Sequence, residues 1–256
     1  MADVTLTYKG STIAEMSNSG TKTLKTSGKY CEGDIGVSYV KPSSGGSGFW
    51  DEDFVKAFIQ RDDTVTSVVL PDGITKIGTY AFSGLSYLNI NALPNTIQII
   101  QDGAFQGCTR LALTSLPPNV TYIGDGAFRQ CLNLQLSSLP SGLTTLGDYA
   151  FGTCRKISLT SLPIGITTLR RYVFNDCTGL KNMELHENIT EIRFGAFYDC
   201  TGLTSVTFKG TPTSIDSRAF QNCTNLTDIY VPWAQGAVSG APWGATNATI
   251  HYNTTT

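Results

Sequence analysis

Apolar and polar positions along most of this chain follow one pattern that returns every 23 residues. Its clearest marker is Ala-Phe, at Ala81-Phe82, Ala104-Phe105, Ala127-Phe128, Ala150-Phe151, Ala196-Phe197 and Ala219-Phe220, with Val173-Phe174 standing in once. Three residues after the phenylalanine comes Cys108, Cys131, Cys154, Cys177, Cys200 or Cys223, with Leu85 in the first unit. Six residues after it comes Leu88, Leu111, Leu134, Ile157, Leu180, Leu203 or Leu226. Eleven after it comes Leu93, Leu116, Leu139, Leu162, Leu185, Phe208 or Val231. A unit of this length cannot bury its own apolar face, so neighbours must stack. The pattern predicts a repeat solenoid, mainly β, over residues 65–232, with these side chains inward in ladders. Coils would be spaced by about 4.8 Å where strands pair.

The spacing changes partway. Units one to four read L-x-L-x-x-L-P, as in Leu111, Leu113 and Leu116, whereas units five to seven read L-x-x-[MVI]-x-[LFV], as in Leu180, Met183 and Leu185. A shift of one residue moves a side chain to the other face of a strand. A change of strand register or curvature is therefore expected near residue 180.

Other segments do not follow the period. Residues 1–41 read as a small β unit: Val4, Leu6 and Tyr8 alternate with polar residues, Lys9-Gly10 turns the chain, and Thr21–Thr26 and Ile35–Val40 suggest further strands. So few large side chains need support from a partner, another copy or the solenoid. Residues 42–48 are a flexible linker by composition. Residues 49–64 read as a helical cap, with Phe54, Val55, Phe58 and Ile59 on one face and Asp51, Glu52 and Asp53 at its N-terminus. That acidic trio has a metal site as its second reading. Residues 233–256 read as a C-terminal cap, with Trp233 and Trp243 over the last coil and Ala248–Tyr252 as an added strand.

Taken together the recurring residues spell L-x-x-x-x-L-P-x-x-[IVL]-x-x-I-x-x-x-A-F-x-x-C-x-x-L, shown with one departure by LTSLPIGITTLRRYVFNDCTGL. The pattern resembles the BspA-like leucine-rich repeat. That resemblance implies a right-handed solenoid with one strand per coil and short helical turns carrying A-F-x-x-C. The stretch VTLTYKGSTIAEMSNSGTKTLKTSGKYCEGDIGVSYV resembles the leading segments of tail-associated structural proteins of phages and prophages from Gram-positive gut bacteria. The closing IYVPWAQGAVSGAPWGATNATIHYN resembles the tails of phage- and prophage-encoded repeat proteins.

Charge narrows the partners. A net charge of −2 gives no electrostatic case for nucleic acid or acidic lipid. Charged residues make up only 15%, a surface closer to extracellular or virion proteins than to cytosolic enzymes. No run is long and apolar enough for membrane insertion as a helix. MADVTLTYKG has no basic stretch followed by an apolar segment, so no signal peptide is expected.

Three sets of residues invite chemistry. The cysteine ladder suggests inter-coil disulfides, metal binding, or small buried packing residues; Leu85 in the same slot and the lack of C-x-x-C spacing favour packing. Asp102, Asp125 and Asp148 suggest either calcium or capping of the turn that follows. Capping is preferred, because Arg171, Phe194 and Ser217 take the position later. His186 and His251 stand without a spaced nucleophile, and no glycine-rich phosphate loop follows a strand, so neither catalytic residues nor cofactors are expected.

What remains is recognition. The strand face carries Asn89, Ala112, Gln135, Ser158, Lys181, Thr204 and Thr227, mostly small. The turn face carries Tyr80, Tyr149 and Tyr172, with Arg129, Arg171, Phe194, Tyr198 and Arg218 nearby. Aromatics and arginines often anchor interfaces, although tyrosines here also suit shielding between coils. The expected site is Tyr149, Arg171, Tyr172, Phe194 and Tyr198. The expected function is non-enzymatic binding of a protein or glycan on a bacterial surface. One setting is a phage or prophage tail joined through residues 1–41, made in the bacterial cytoplasm and carried in a virion or other extracellular particle. The alternative is a bacterial cell-surface adhesin.

Overall fold

The 23-residue spacing places each new Phe directly over the last. In the computed structural model, Phe82, Phe105, Phe128, Phe151, Phe174, Phe197 and Phe220 form one buried column with centroids 5.2 to 5.8 Å apart. This exceeds the strand spacing because the rings lie at the turns and stack with an offset, as aromatic pairs prefer. The structure describes residues 4–8, 11–16, 22–24, 35–39, 68–70 and 74–254. The expected linker at 42–48, the helical cap at 49–64 and Cys31 lie outside these.

Four strands precede the coils: β1 (Val4–Tyr8), β2 (Ser11–Met16), β3 (Lys22–Leu24) and β4 (Ile35–Tyr39). The pattern in 1–41 had indicated β1, β3 and β4 but not β2. They join β5 (Val68–Val69) in a sheet ordered β3-β2-β1-β4-β5, and β4 pairs with β5 in parallel. The small unit is thus continuous with the entry to the solenoid.

Within the coils, two kinds of ladder form. One runs through β6 (Lys76–Ile77), β7 (Ile99–Ile100), β8 (Tyr122–Ile123) and β9 (Thr145–Leu146). The same position continues as a separate sheet, β10 (Thr168–Leu169), β12 (Glu191–Ile192) and β14 (Ser214–Ile215). The second kind begins at β11 (Asn182–Leu185) and runs through β13 (Ser205–Phe208), β15 (Asp228–Tyr230) and β16 (Thr249–His251). Its onset is the change anticipated near residue 180. Met183 and Leu185 are inward with Asn182 and Glu184 outward, the period-two alternation of a strand. In the earlier coils Leu113 and Leu116 are both inward three residues apart, which breaks that alternation, and only an isolated bridge from Ser161 to Glu184 touches the later sheet.

The turns carrying A-F-x-x-C are not helical; among the described residues no helix is assigned. Instead their amides alternate. Tyr80, Phe82 and Gly84 donate forward to the carbonyls of Asp102, Ala104 and Gln106 in the next coil, at 2.7 to 2.8 Å. Ala81, Ser83 and Leu85 donate back to Gly78, Tyr80 and Phe82 in their own turn. Alternate donors pointing out of the coil forbid the i→i−4 ladder of a helix and require left-handed φ at two places. These are two residues before the phenylalanine (Tyr80, Gly103, Gly126, Tyr149, Tyr172, Gly195) and two after (Gly84, Gly107, Gln130, Thr153, Asp176, Asp199, Asn222).

The cysteines form the second buried column, and their role goes beyond packing. Each thiol lies 3.0 to 3.1 Å from the carbonyl of the preceding coil's phenylalanine and donates to it: Cys108 to Phe82, Cys131 to Phe105, and so on to Cys223 with Phe197. All six are unoxidised and buried, and burial pushes the thiols of Cys108, Cys131, Cys154, Cys177 and Cys200 well up. At the far end Trp233 and Trp243 are buried against Phe208, with ring centroids 5.2 and 6.3 Å from it.

Candidate functional site

The aspartates come first, because they set the ground from which the site departs. Asp102 Oδ1 accepts the Asp125 amide at 2.9 Å, Asp125 Oδ1 the Asp148 amide at 2.7 Å, and Asp148 Oδ1 the Arg171 amide at 3.1 Å. The capping expectation is corrected in direction: each carboxylate caps the next coil rather than the turn that follows it. The nearby amides of its own turn already donate to backbone carbonyls, so the free donor is one coil on. Gly147 has no side chain because Asp125 occupies that space. Among the described residues no cluster suits a metal ion.

Arg171 receives the last of these bonds and offers no carboxylate to the following coil. There the turn face changes from a hydrogen-bonded ladder to an aromatic cluster. Tyr149 and Tyr172 stack at 4.7 Å, while Phe194 and Tyr198 meet Tyr172 edge-on at 5.2 and 6.0 Å. The four predicted aromatics are therefore together. Tyr149 and Tyr172 hold φ of 56° and 54°, a conformation costing about 1–2 kcal/mol for a side chain with Cβ. Stacking offsets part of that. Tyr172 also lies flat over Gly195, where any side chain would strike its ring. The shielding role is thus real for Tyr172, and for Tyr80 over Gly103.

Arginines frame the cluster. The guanidinium of Arg129 lies 4.9 Å from the Tyr149 centroid and that of Arg218 5.5 Å from Phe194. Exposed contacts of this kind contribute about 0.5–1 kcal/mol. Burial, with Tyr149 and Tyr198 beside it, raises the Tyr172 phenol above its ordinary value, while Arg218 and Arg171 pull the other way. The phenol stays neutral and able to donate.

Next to the cluster a shallow groove of about 440 Å³ is lined by Asp148, Arg171, Glu191, Arg193, Phe194 and Asp216, among others. Arg193 pairs with Glu191 at 3.0 Å. Asp216 Oδ1 accepts the Arg218 amide at 2.9 Å. Sequence reasoning found Arg171 and Phe194 but missed Glu191, Arg193 and Asp216. A signal existed in the charged pair flanking Ile192, yet only the coil geometry shows that they face Arg171.

Several other candidates are held by contacts within the fold. On the strand face, the Thr204 and Thr227 hydroxyls donate to the Lys181 and Thr204 carbonyls of preceding coils. His186, in the proline's place, sets Nε2 3.0 Å from the Pro163 carbonyl and accepts the Asn188 amide at Nδ1, which fixes its position structurally. His251 Nε2 lies 2.8 Å from Asp228 and its ring stacks on Tyr230 at 4.5 Å.

Comparison with known proteins gives the following. The sequence profile of the BspA type leucine-rich repeat region matches residues 55–179 and 144–235, in six copies. A leucine-rich repeat protein from Bacteroides ovatus is similar in structure, at 21% identity, over 90% of this chain and 75% of that one, with a TM-score of 0.49. A leucine-rich repeat protein from T. pallidum is similar at 24% identity, over 84% and 77%, with a TM-score of 0.45. A leucine-rich cell surface protein from Faecalibacterium prausnitzii is similar at 20% identity, over 75% and 78%, with a TM-score of 0.32. No curated protein matches the sequence.

Proposed function

The chain belongs to the BspA-type leucine-rich repeat family, and from that premise we propose that it is a non-enzymatic recognition protein whose turn face binds a ligand on a bacterial surface. The observation that carries this reading is the cluster of Tyr149, Tyr172, Phe194 and Tyr198 with Arg171 beside it. Tyr149 and Tyr172 hold an unfavourable backbone conformation at a repeat position taken by Gly103, Gly126 and Gly195 in other coils and by Tyr80 in the first. A rigid scaffold that fixes aromatics beside guanidinium groups reduces the entropy lost on binding.

Two settings suit such a face. In one, residues 1–41 join the chain to a phage or prophage tail, and several copies on one particle raise weak affinity by avidity. In the other, the chain is a bacterial cell-surface adhesin, as the family alone would suggest. Immunogold labelling of induced cultures separates them: label on released particles supports the first, label on the cell envelope the second.

The binding role is tested with Arg171→Ala combined with Tyr172→Ala. Adhesion of the purified full-length chain to bacterial cells should weaken while the melting temperature falls by no more than a few degrees. Adhesion equal to the parent would move the site to the strand face, and the absence of adhesion by any form would sink the recognition role.

A further inference from the structure

We infer that the ligand of this face is a carbohydrate chain that lies along the solenoid axis, with sugar rings against Phe194 and hydroxyls held by Arg171, Glu191, Arg193 and Asp216. The inference rests on the binding reading above and goes further by naming the chemistry and the direction of the ligand.

Three observations carry it. First, the groove mixes donors and acceptors. Arg171 and Arg193 donate, and Asp148, Glu191 and Asp216 accept. Planar polar side chains of both kinds match vicinal hydroxyls, each of which donates and accepts. A strongly charged ligand would meet repulsion from one set or the other.

Second, an aromatic ring forms one wall of the groove. Phe194 is half-buried, touched edge-on by Tyr172 and loosely covered by the exposed Arg218 guanidinium at 5.5 Å. The C–H face of a pyranose ring can replace that guanidinium without loss of buried contact, since Arg218 is free to swing to solvent. Phe194 gains nothing comparable from the fold: the column to which it belongs holds Asp102, Asp125 and Asp148 in earlier coils, where each makes a backbone hydrogen bond.

Third, the groove runs from coil to coil: Asp148, Arg171 and Phe194, which hold one repeat position in three successive coils, all line it. Glu191 and Ser214, which are direct neighbours on paired strands β12 and β14, both line the groove. A chain laid along the axis passes each of these coils in turn, whereas one laid across the coils would leave the groove.

The test uses the full-length protein and two probes. Adhesion is measured to native bacterial cells, to cells oxidised with periodate, which cleaves vicinal diols, and to cells stripped with protease. Binding is then measured to immobilised linear oligosaccharides of increasing length. Adhesion should be lost with periodate and survive protease, affinity should rise with chain length and then level off, and Phe194→Leu should weaken it about tenfold. Phe194→Leu must show the parent's melting curve; Arg193→Gln is the second variant if it does not. Adhesion that survives periodate and is abolished by protease would overturn the carbohydrate assignment yet leave the binding face standing. Adhesion to none of the cells and to none of the oligosaccharides would overturn both.

Discussion

The first four coils and the last three share one core but differ in how they are joined outside it. From Phe82 to Phe220 the aromatic column runs without a gap, and the cysteine column runs beside it. The outer ladders do not. β6 to β9 form one sheet, β10, β12 and β14 another, and the longer ladder starts only at β11. In the early coils aspartates tie each turn to the next; from Arg171 onward that ladder stops and aromatics take the surface. The core thus fixes the stacking, and once stacking is secured the outer positions are released to diversify. The candidate site sits where one scheme gives way to the other.

The largest expected effect tests the shared column. The thiols of Cys108, Cys131, Cys154, Cys177 and Cys200 are raised by burial, while in the unfolded chain a thiol ionises near pH 8.5. Below that pH both states are protonated. Above it the unfolded state releases protons that the folded state keeps, so stability falls as pH rises, by about 1.4 kcal/mol per unit for each thiol. Denaturant midpoints should drop steeply between pH 8 and 10, and Cys131→Ala with Cys154→Ala should flatten the slope. An unchanged slope would count against thiol burial. Without reductant, the unfolded protein should titrate seven free thiols, the full cysteine count.

Replacing one ring in each half compares their cores directly. Phe128→Ala and Phe174→Ala, both fully buried, should each cost about 3–5 kcal/mol. A cost confined to one half would mean that the column is not a single unit.

The capping column should behave differently in the two halves. Asp125→Ala removes the acceptor of the Asp148 amide and should cost about 1 kcal/mol. Arg171→Ala, one step beyond the ladder, should stay within about 0.5 kcal/mol of the parent. Equal costs would erase the distinction on which the site assignment leans.

The smallest effect lies at the end of the second half. Hydrogen bonds from His251 and then Thr227 hold the Asp228 carboxyl below its ordinary value. Its contribution is present above about pH 4 and is lost as pH falls through the lowered folded value. Titration by NMR should place the Asp228 carboxyl below the ordinary aspartate range, and His251→Ala should raise it.

Some of this was legible from the residues alone. Because every coil is surrounded by copies of itself, a position that repeats in the chain repeats in space, and the inward columns of Phe, Cys and Leu could be read directly. The shift from Leu113 to Met183 within the repeat likewise announced the strand ladder, since it alone restores two-residue alternation. What depends on the rotation and offset between coils could not be read. The turns read as helical, yet alternate amides leave for the next coil. The aspartates read as caps of their own turns, yet they reach across. Arg193, Glu191 and Asp216 come to face Arg171 for the same reason. A period fixes which residues stack, but only the path of the backbone between coils fixes which donors are left free and which side chains share a groove.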